Sequence, residues 1–235
     1  MKAIPKSRYL LFCVIAVVGT FVDLATKTWI FDRQWPDRRV WPFAHYVSPD
    51  GLPLTPAEIA KIRQAEPVFS AGDFELAWEI SYNEGALFGV GQGLVWLFAG
   101  LSVLAFLGVV YWLFWLGEAR SLWLCIALAG VTAGIFGNLY DRLALHGLEW
   151  PEGTGAAACL GREGEPMYAV RDWIRVRYGD KPWPSIYGIN HWPNFNIADA
   201  LLVCGAIMIA IEGVRDHRRR SKESDATGEE TAAAG

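Results

Sequence analysis

Residues Gly85–Gly117 read GALFGVGQGLVWLFAGLSVLAFLGVVYWLFWLG and carry no charged side chain. The run outlasts the ~20 apolar residues that an α-helix needs to cross a bilayer, so it predicts a membrane span. Ser121–Tyr140 is a second charge-free run, rich in Leu, Ala and Gly. Two further runs are interrupted near one end only. Tyr9–Val22 is apolar before Asp23 and Lys27 intrude, and the run then resumes to Phe31; Asn196–Ile211 is apolar apart from Asp199. Four transmembrane helices are expected, at about 9–31, 92–116, 121–144 and 197–213.

Composition agrees with that reading. Of 235 residues, 53% are hydrophobic and 20% charged, against about a quarter charged in soluble domains. Mean hydropathy is +0.21 although the C-terminal tail is almost wholly polar. The chain has 12 Trp, a residue that favours membrane–water interfaces. A net charge of −4 argues against a nucleic-acid partner held by bulk positive charge. Cys13, Cys125 and Cys204 fall inside predicted spans, Cys159 stands alone in a loop, and no CxxC occurs, so neither a disulfide framework nor a zinc site is indicated. The basic start followed by an apolar core has the pattern of a cleaved signal peptide, but the core outruns that length and no small-residue cleavage site precedes Asp23.

Four spans place both termini and the short loop around Arg120 on one side. Lys2, Lys6, Arg8, Arg120, Arg215, Arg218, Arg219, Arg220 and Lys222 cluster there, whereas acids dilute the basic residues of the long loops at about 32–88 and 145–195. The positive-inside rule puts the termini in the cytoplasm. Residues 1–214 read as one membrane-embedded domain, and 215–235 as a basic and then disordered cytoplasmic tail.

Charges inside a span are expensive, so each marks a candidate function. Asp23 and Lys27 lie four apart in the outer half of helix 1, on one face, where they could simply neutralise each other. The end of helix 3, AGIFGNLYDRL, sets Asn138, Asp141 and Arg142 on one face, and Gly134 and Gly137 would let a neighbouring helix approach. Helix 4 opens with NFNIADA, where Asn196 and Asp199 have the spacing of a capping box. Helix 2 follows the polar turn YNEGALFGV. All four clusters end at the outer leaflet, which predicts a polar site just beneath that surface.

The outer loops carry strand signals. Phe74, Leu76, Trp78, Ile80 and Tyr82 alternate with more polar residues, and YAVRDWIRVRYGD alternates too. In the latter, Val170, Ile174, Val176 and Tyr178 share one face and Arg171, Trp173, Arg175 and Arg177 the other. Asp172 is the single charge on the apolar face, and a carboxylate there needs a partner or a shifted pKa. The expected fold is a mainly α membrane protein, with four transmembrane helices and a small β-sheet of the outer loops lying on the membrane surface.

Several chemistries fail on inspection. HExxH is missing, all four His lie outside the spans, and no Ser shares a depth with a His. Carboxylates remain: Asp23, Asp141, Asp172 and Asp199. Two close carboxylates share a proton, one acting as base towards a water that attacks a peptide carbonyl. Depth alone would pair Asp141 with Asp199.

In order, the motifs VDLATK, NEGALFG, AGIFGNLYDRL, VRDW and FNIADA resemble those of the bacterial lipoprotein signal peptidases, the signal peptidase II family. The resemblance implies an aspartic endopeptidase of the bacterial inner membrane, which removes signal peptides from prolipoproteins just before the diacylglyceryl-bearing cysteine. It implies Asp172 and Asp199 as the catalytic dyad, in place of the Asp141 pairing. Asp23, Lys27, Asn83, Gly85, Asn138, Asp141, Arg142 and Asn196 then bind substrate or support the site. Neither metal nor organic cofactor is implied; the expected partners are lipidated prolipoproteins and membrane lipid, and the chain is expected to act as a monomer. Leu87, Ala133 and Arg171 depart from the family pattern, and Arg171 beside Asp172 is expected to lower that acid's pKa. Loop insertions around 46–72 and 146–167 fall outside every motif. Substrate is expected to enter laterally, along apolar faces of helices 2 to 4 and the strand around Trp78. Two rivals are weaker. A presenilin-like protease needs a GxGD motif and more spans, and a cation carrier or channel needs a polar path reaching both faces.

Overall fold

The computed structural model describes residues 4–34, 66–85, 91, 93–150, 162, 164–179 and 192–233. Leu87, Cys159 and much of both insertions lie outside the described residues. In chain order the elements are α1 (Lys6–Gln34), β1 (Glu66–Ala71), β2 (Phe74–Asn83), α2 (Val95–Val110), α3 (Leu122–Arg142), β3 (Val170–Tyr178) and α4 (Ile197–Ala233). A π-helical turn, Tyr111–Trp115, prolongs α2, and a short turn at Glu118–Arg120 leads to Ser121, whose side chain caps α3 by accepting the Leu124 N–H at 3.3 Å. All four expected spans are present: Lys6–Gln34, Val95–Trp115, Leu122–Arg142 and Ile197–Arg219 are helices long and apolar enough to cross a membrane.

The four helices are not equivalent. In its most apolar window α3 is 67% buried, against 17% for α1 and α2 and 11% for α4. α3 is therefore the central helix, and its small residues explain why. At Gly134 and Gly137 an added Cβ would overlap the Ala198 carbonyl and the Asp23 carboxylate, so neighbouring helices approach as expected. Close approach extends to Ala133 on the side of α1. Gly19 of α1 faces it, and a Cβ on Gly19 would stand 2.7 Å from that of Ala133. The outer helices expose Leu10, Val17 and Phe21, Trp96 and Leu104, and Val203 and Ile207. Lipid, not water, is the medium that suits such surfaces.

β1, β2 and β3 form an antiparallel sheet in that order. The two alternating segments supply β2 and β3, while β1 comes from within the first insertion and carries no alternating signal. The sheet packs against the C-terminal end of α1, where Ile30 and Phe31 join Ile80, Leu148, Trp150, Met167, Ala169 and Trp173 in one apolar cluster. Consequently the face of β3 expected to be polar is buried over its first half, Arg171 to 3% and Trp173 to 8% exposure.

The tail also differs from expectation. α4 continues through the stretch expected to be disordered, to Ala233. Lys, Glu and Ala there are good helix formers, and Arg219 pairs with Asp216 at 3.1 Å on one helix face.

Candidate active site

α4 begins at the end of the bundle that carries the sheet. Asn196 Oδ1 accepts the Asp199 N–H at 2.8 Å and Asp199 Oδ2 accepts the Asn196 N–H at 3.3 Å. The capping box read from the sequence is real, and it fixes both side chains at the helix mouth. Asn196 Nδ2 then donates to Asp172 Oδ1 at 2.7 Å and to Asn138 Oδ1 at 3.1 Å. Asn138 Nδ2 in turn donates to Asp199 Oδ1 at 2.8 Å. Two amides from α3 and α4 thus link the Asp172 and Asp199 carboxylates. Asn83 also hydrogen-bonds Asp172; it lies two residues beyond Ser81, the cross-strand partner of Asp172, on the same face of the ladder.

The other two carboxylates are committed elsewhere. Lys27 Nζ lies 2.8 Å from Asp23 and 3.0 Å from Asp141, and donates to Asn138 Oδ1 at 3.1 Å. Asp23 Oδ1 accepts the Ala198 N–H at 2.8 Å in the first turn of α4. Arg171 closes Asp141 from the opposite side, with Nη2 at 2.9 Å, Nε at 3.0 Å and its backbone N–H at 3.0 Å. Asp23 and Lys27 form the expected i, i+4 pair, but a third and a fourth charge complete it. Among the described residues, neither Asp172 nor Asp199 makes an ion pair.

Arg171 therefore does not act on Asp172 as expected. Its guanidinium points to Asp141, on the other face of the strand. Burial, and next the charge of Asp199, push the Asp172 carboxyl well above the usual carboxylate range.

A cavity of about 430 Å³ opens beside the amide bridge. Asn83, Asn138, Arg142 and Asp199 form its polar wall, and Leu202, Val203 and Cys204 carry it along α4. Asp172 is set behind this wall at 2% exposure. Arg142 donates to the Gly85 carbonyl at 3.2 Å and lies 5.7 Å from the centre of the Phe98 ring. Every expected site residue thus meets at one end of the bundle. Two features escaped the sequence reading. The segment Trp192–Phe195 lines the cavity, and Trp78 packs instead on Trp29 of α1 at 5.0 Å. Nothing periodic marks the first, since it pairs with β3 through Phe195 and Ile174 rather than as a strand of its own.

Fold and site together define a polytopic membrane protein with a buried carboxylate centre at one end of its helices. Residues 15–215 match the family model described as signal peptidase (SPase) II. The chain is similar to a lipoprotein signal peptidase of Rhodopirellula baltica, 37% identical over 223 residues that cover 95% of this chain and 80% of the relative. It is also similar to one of Pseudomonas aeruginosa, 32% identical over 146 residues, 60% of this chain and 68% of that protein. Among solved structures, a bacterial membrane enzyme determined by the in meso method at 2.3 Å shares the fold. Its TM-score is 0.53 and its identity 22%, with 88% of each chain covered. The chain belongs to the signal peptidase II family, and is a peptidase.

Proposed function

We infer that this chain removes signal peptides from diacylglyceryl-modified prolipoproteins as an aspartic endopeptidase, cutting just before the lipidated cysteine, with Asp172 and Asp199 as its dyad. One observation carries the assignment. Of the four aspartates at this end of the bundle, Asp23 and Asp141 are paired with cations, whereas Asp172 and Asp199 are bridged by neutral amides. A carboxylate locked to a buried cation is a poor proton carrier, and an amide-bridged pair can share one proton.

The ionised member of the pair takes a proton from water as that water attacks the scissile carbonyl, and the protonated member donates to the carbonyl oxygen. Asn138, Asn196 and Asn83 hold the two acids in place. The apolar extension of the cavity along α4 suits the lipid chains of a substrate arriving from the bilayer. The distribution of basic residues supports cytoplasmic termini in the inner membrane, with the site near the outer leaflet. A monomer contains every group named.

A cation carrier is the reading from another class. It requires buried charge along the whole bundle, yet among the described residues the buried ionised groups all lie at the sheet end. Reconstituting the chain in vesicles with a diacylglyceryl-modified prolipoprotein tests the proposal. Release of the signal peptide is expected. Cation flux without cleavage would overturn it.

A further inference from the structure

Arg171 is among the most heavily partnered side chains of the site. Its Nε and Nη2 both reach Asp141 Oδ1, at 3.0 and 2.9 Å, and its own N–H reaches Oδ2 at 3.0 Å. The Asp141 carboxylate is thereby gripped along one edge by a single residue of β3. Lys27 takes the remaining direction at 3.0 Å. Asp23 and Asp141 against Lys27 and Arg171 make two negative and two positive charges, all at 3% exposure or less. Removing any one leaves a buried charge without compensation.

The position of this clamp matters more than its charge. The β2–β3 ladder is irregular between Trp78 and Ser81, so the regular pairing fails immediately beside Asp172, which faces Ser81. Irregularities of this kind bend a strand and re-aim its side chains. On the other side of Asp172 the ladder is regular, with Arg171 paired to Tyr82 and Val170 to Asn83, so Arg171 sits in the ordered part of the strand next to that acid. The Arg171 carbonyl also accepts from Asn196 Nδ2 at 3.4 Å, the same nitrogen that donates to Asp172.

Resting on the dyad reading above, we propose that Arg171 is a positioning residue for cleavage: by locking β3 onto Asp141 of α3, it sets Asp172 against the Asn196 amide and hence against Asp199. The Arg171 side chain is engaged with Asp141 on the face of β3 opposite Asp172 and the Asn196 amide, so it acts by placing the strand and not on substrate. The chain thus has a strand-to-helix anchor that an apolar residue at this position could not provide.

The test compares Arg171→Lys, Arg171→Met and Arg171→Val with the parent, reconstituted in vesicles, cleaving a diacylglyceryl-modified peptide. Arg171→Met and Arg171→Val are expected to lower kcat by about 10- to 100-fold, as misplacement of a reacting group by about an ångström does, with KM within about twofold. Arg171→Lys keeps one cation but not the fork, and should recover part of the lost kcat. If one apolar variant fails to insert, the other and the Lys variant still decide the matter. An unchanged kcat in the inserted variants would overturn the proposal, as would a loss carried wholly by KM. Asp172→Asn is measured alongside. If it cleaves normally the dyad reading has failed, whereas if it is inactive and the Arg171 variants are not, only the anchor has failed.

Discussion

Asn196 donates from Nδ2 to Asp172 Oδ1 at 2.7 Å while its Oδ1 accepts the Asp199 N–H at 2.8 Å. One side chain therefore contacts both acids, and a helix cap is part of the proposed catalytic framework. Asn196→Asp should keep the cap, because Asp caps helices as well as Asn, but it replaces the donor facing Asp172 with an oxygen. Cleavage should fall by about 100-fold, and thermal stability in detergent should fall too, because a buried oxygen then faces Asp172 where a donor stood. Parent-level cleavage by this variant would show that the amide bridge is dispensable.

Asp172 gives a stability signature opposite to that of an ordinary carboxylate. Burial and the Asp199 charge raise its pKa in the folded state, so the folded chain holds this proton more tightly than the unfolded one. Its favourable contribution is complete below the unfolded value of about 3.9, and is lost as pH rises through the raised folded value. Asp172→Asn removes that loss. At neutral pH the variant should melt at a higher temperature than the parent, and the difference should vanish below about pH 4. A lower melting temperature at neutral pH would contradict the assigned environment.

Loss of Asp141 should destabilise the chain through its ion pairs. Asp141→Asn leaves Lys27 with Asp23 alone and takes from Arg171 the carboxylate it grips, a loss of about 3–5 kcal/mol for a buried network. Both melting temperature and cleavage should fall together. A stable, substrate-binding but inactive Asp141→Asn would instead move the dyad to Asp141 and Asp199.

Close packing on α3 can be tested separately from charge. Gly137→Ala drives a methyl group into the Asp23 carboxylate, whereas at Gly130 the nearest atom to an added Cβ is 3.9 Å away. The first change should cost about 1–3 kcal/mol and impair cleavage. Gly130→Ala should leave both intact, as thermal melts and cleavage assays of the two variants would show.

Much of this arrangement is legible in the sequence because lipid punishes charge. Runs without charge mark the four helices, and the few charges within or beside them converge on one end. Asp172 is visible as a carboxylate on the wrong face of an alternating strand. What escaped is what depends on distance in three dimensions. Arg171 reads as a neighbour of Asp172, yet alternation sends it to the other face of β3, where the packing of the sheet on α1 and α3 brings Asp141. β1 is too short and irregular to announce itself, and Trp192–Phe195 reaches the cavity only because β3 offers it an edge.

The most direct measurement is cleavage of a diacylglyceryl-modified prolipoprotein by Asp172→Asn and Asp199→Asn, each reconstituted and shown to be inserted. Both should lose cleavage by at least about 1,000-fold, since each removes one half of a shared-proton pair. Parent-like cleavage by either variant would contradict the assignment of the dyad.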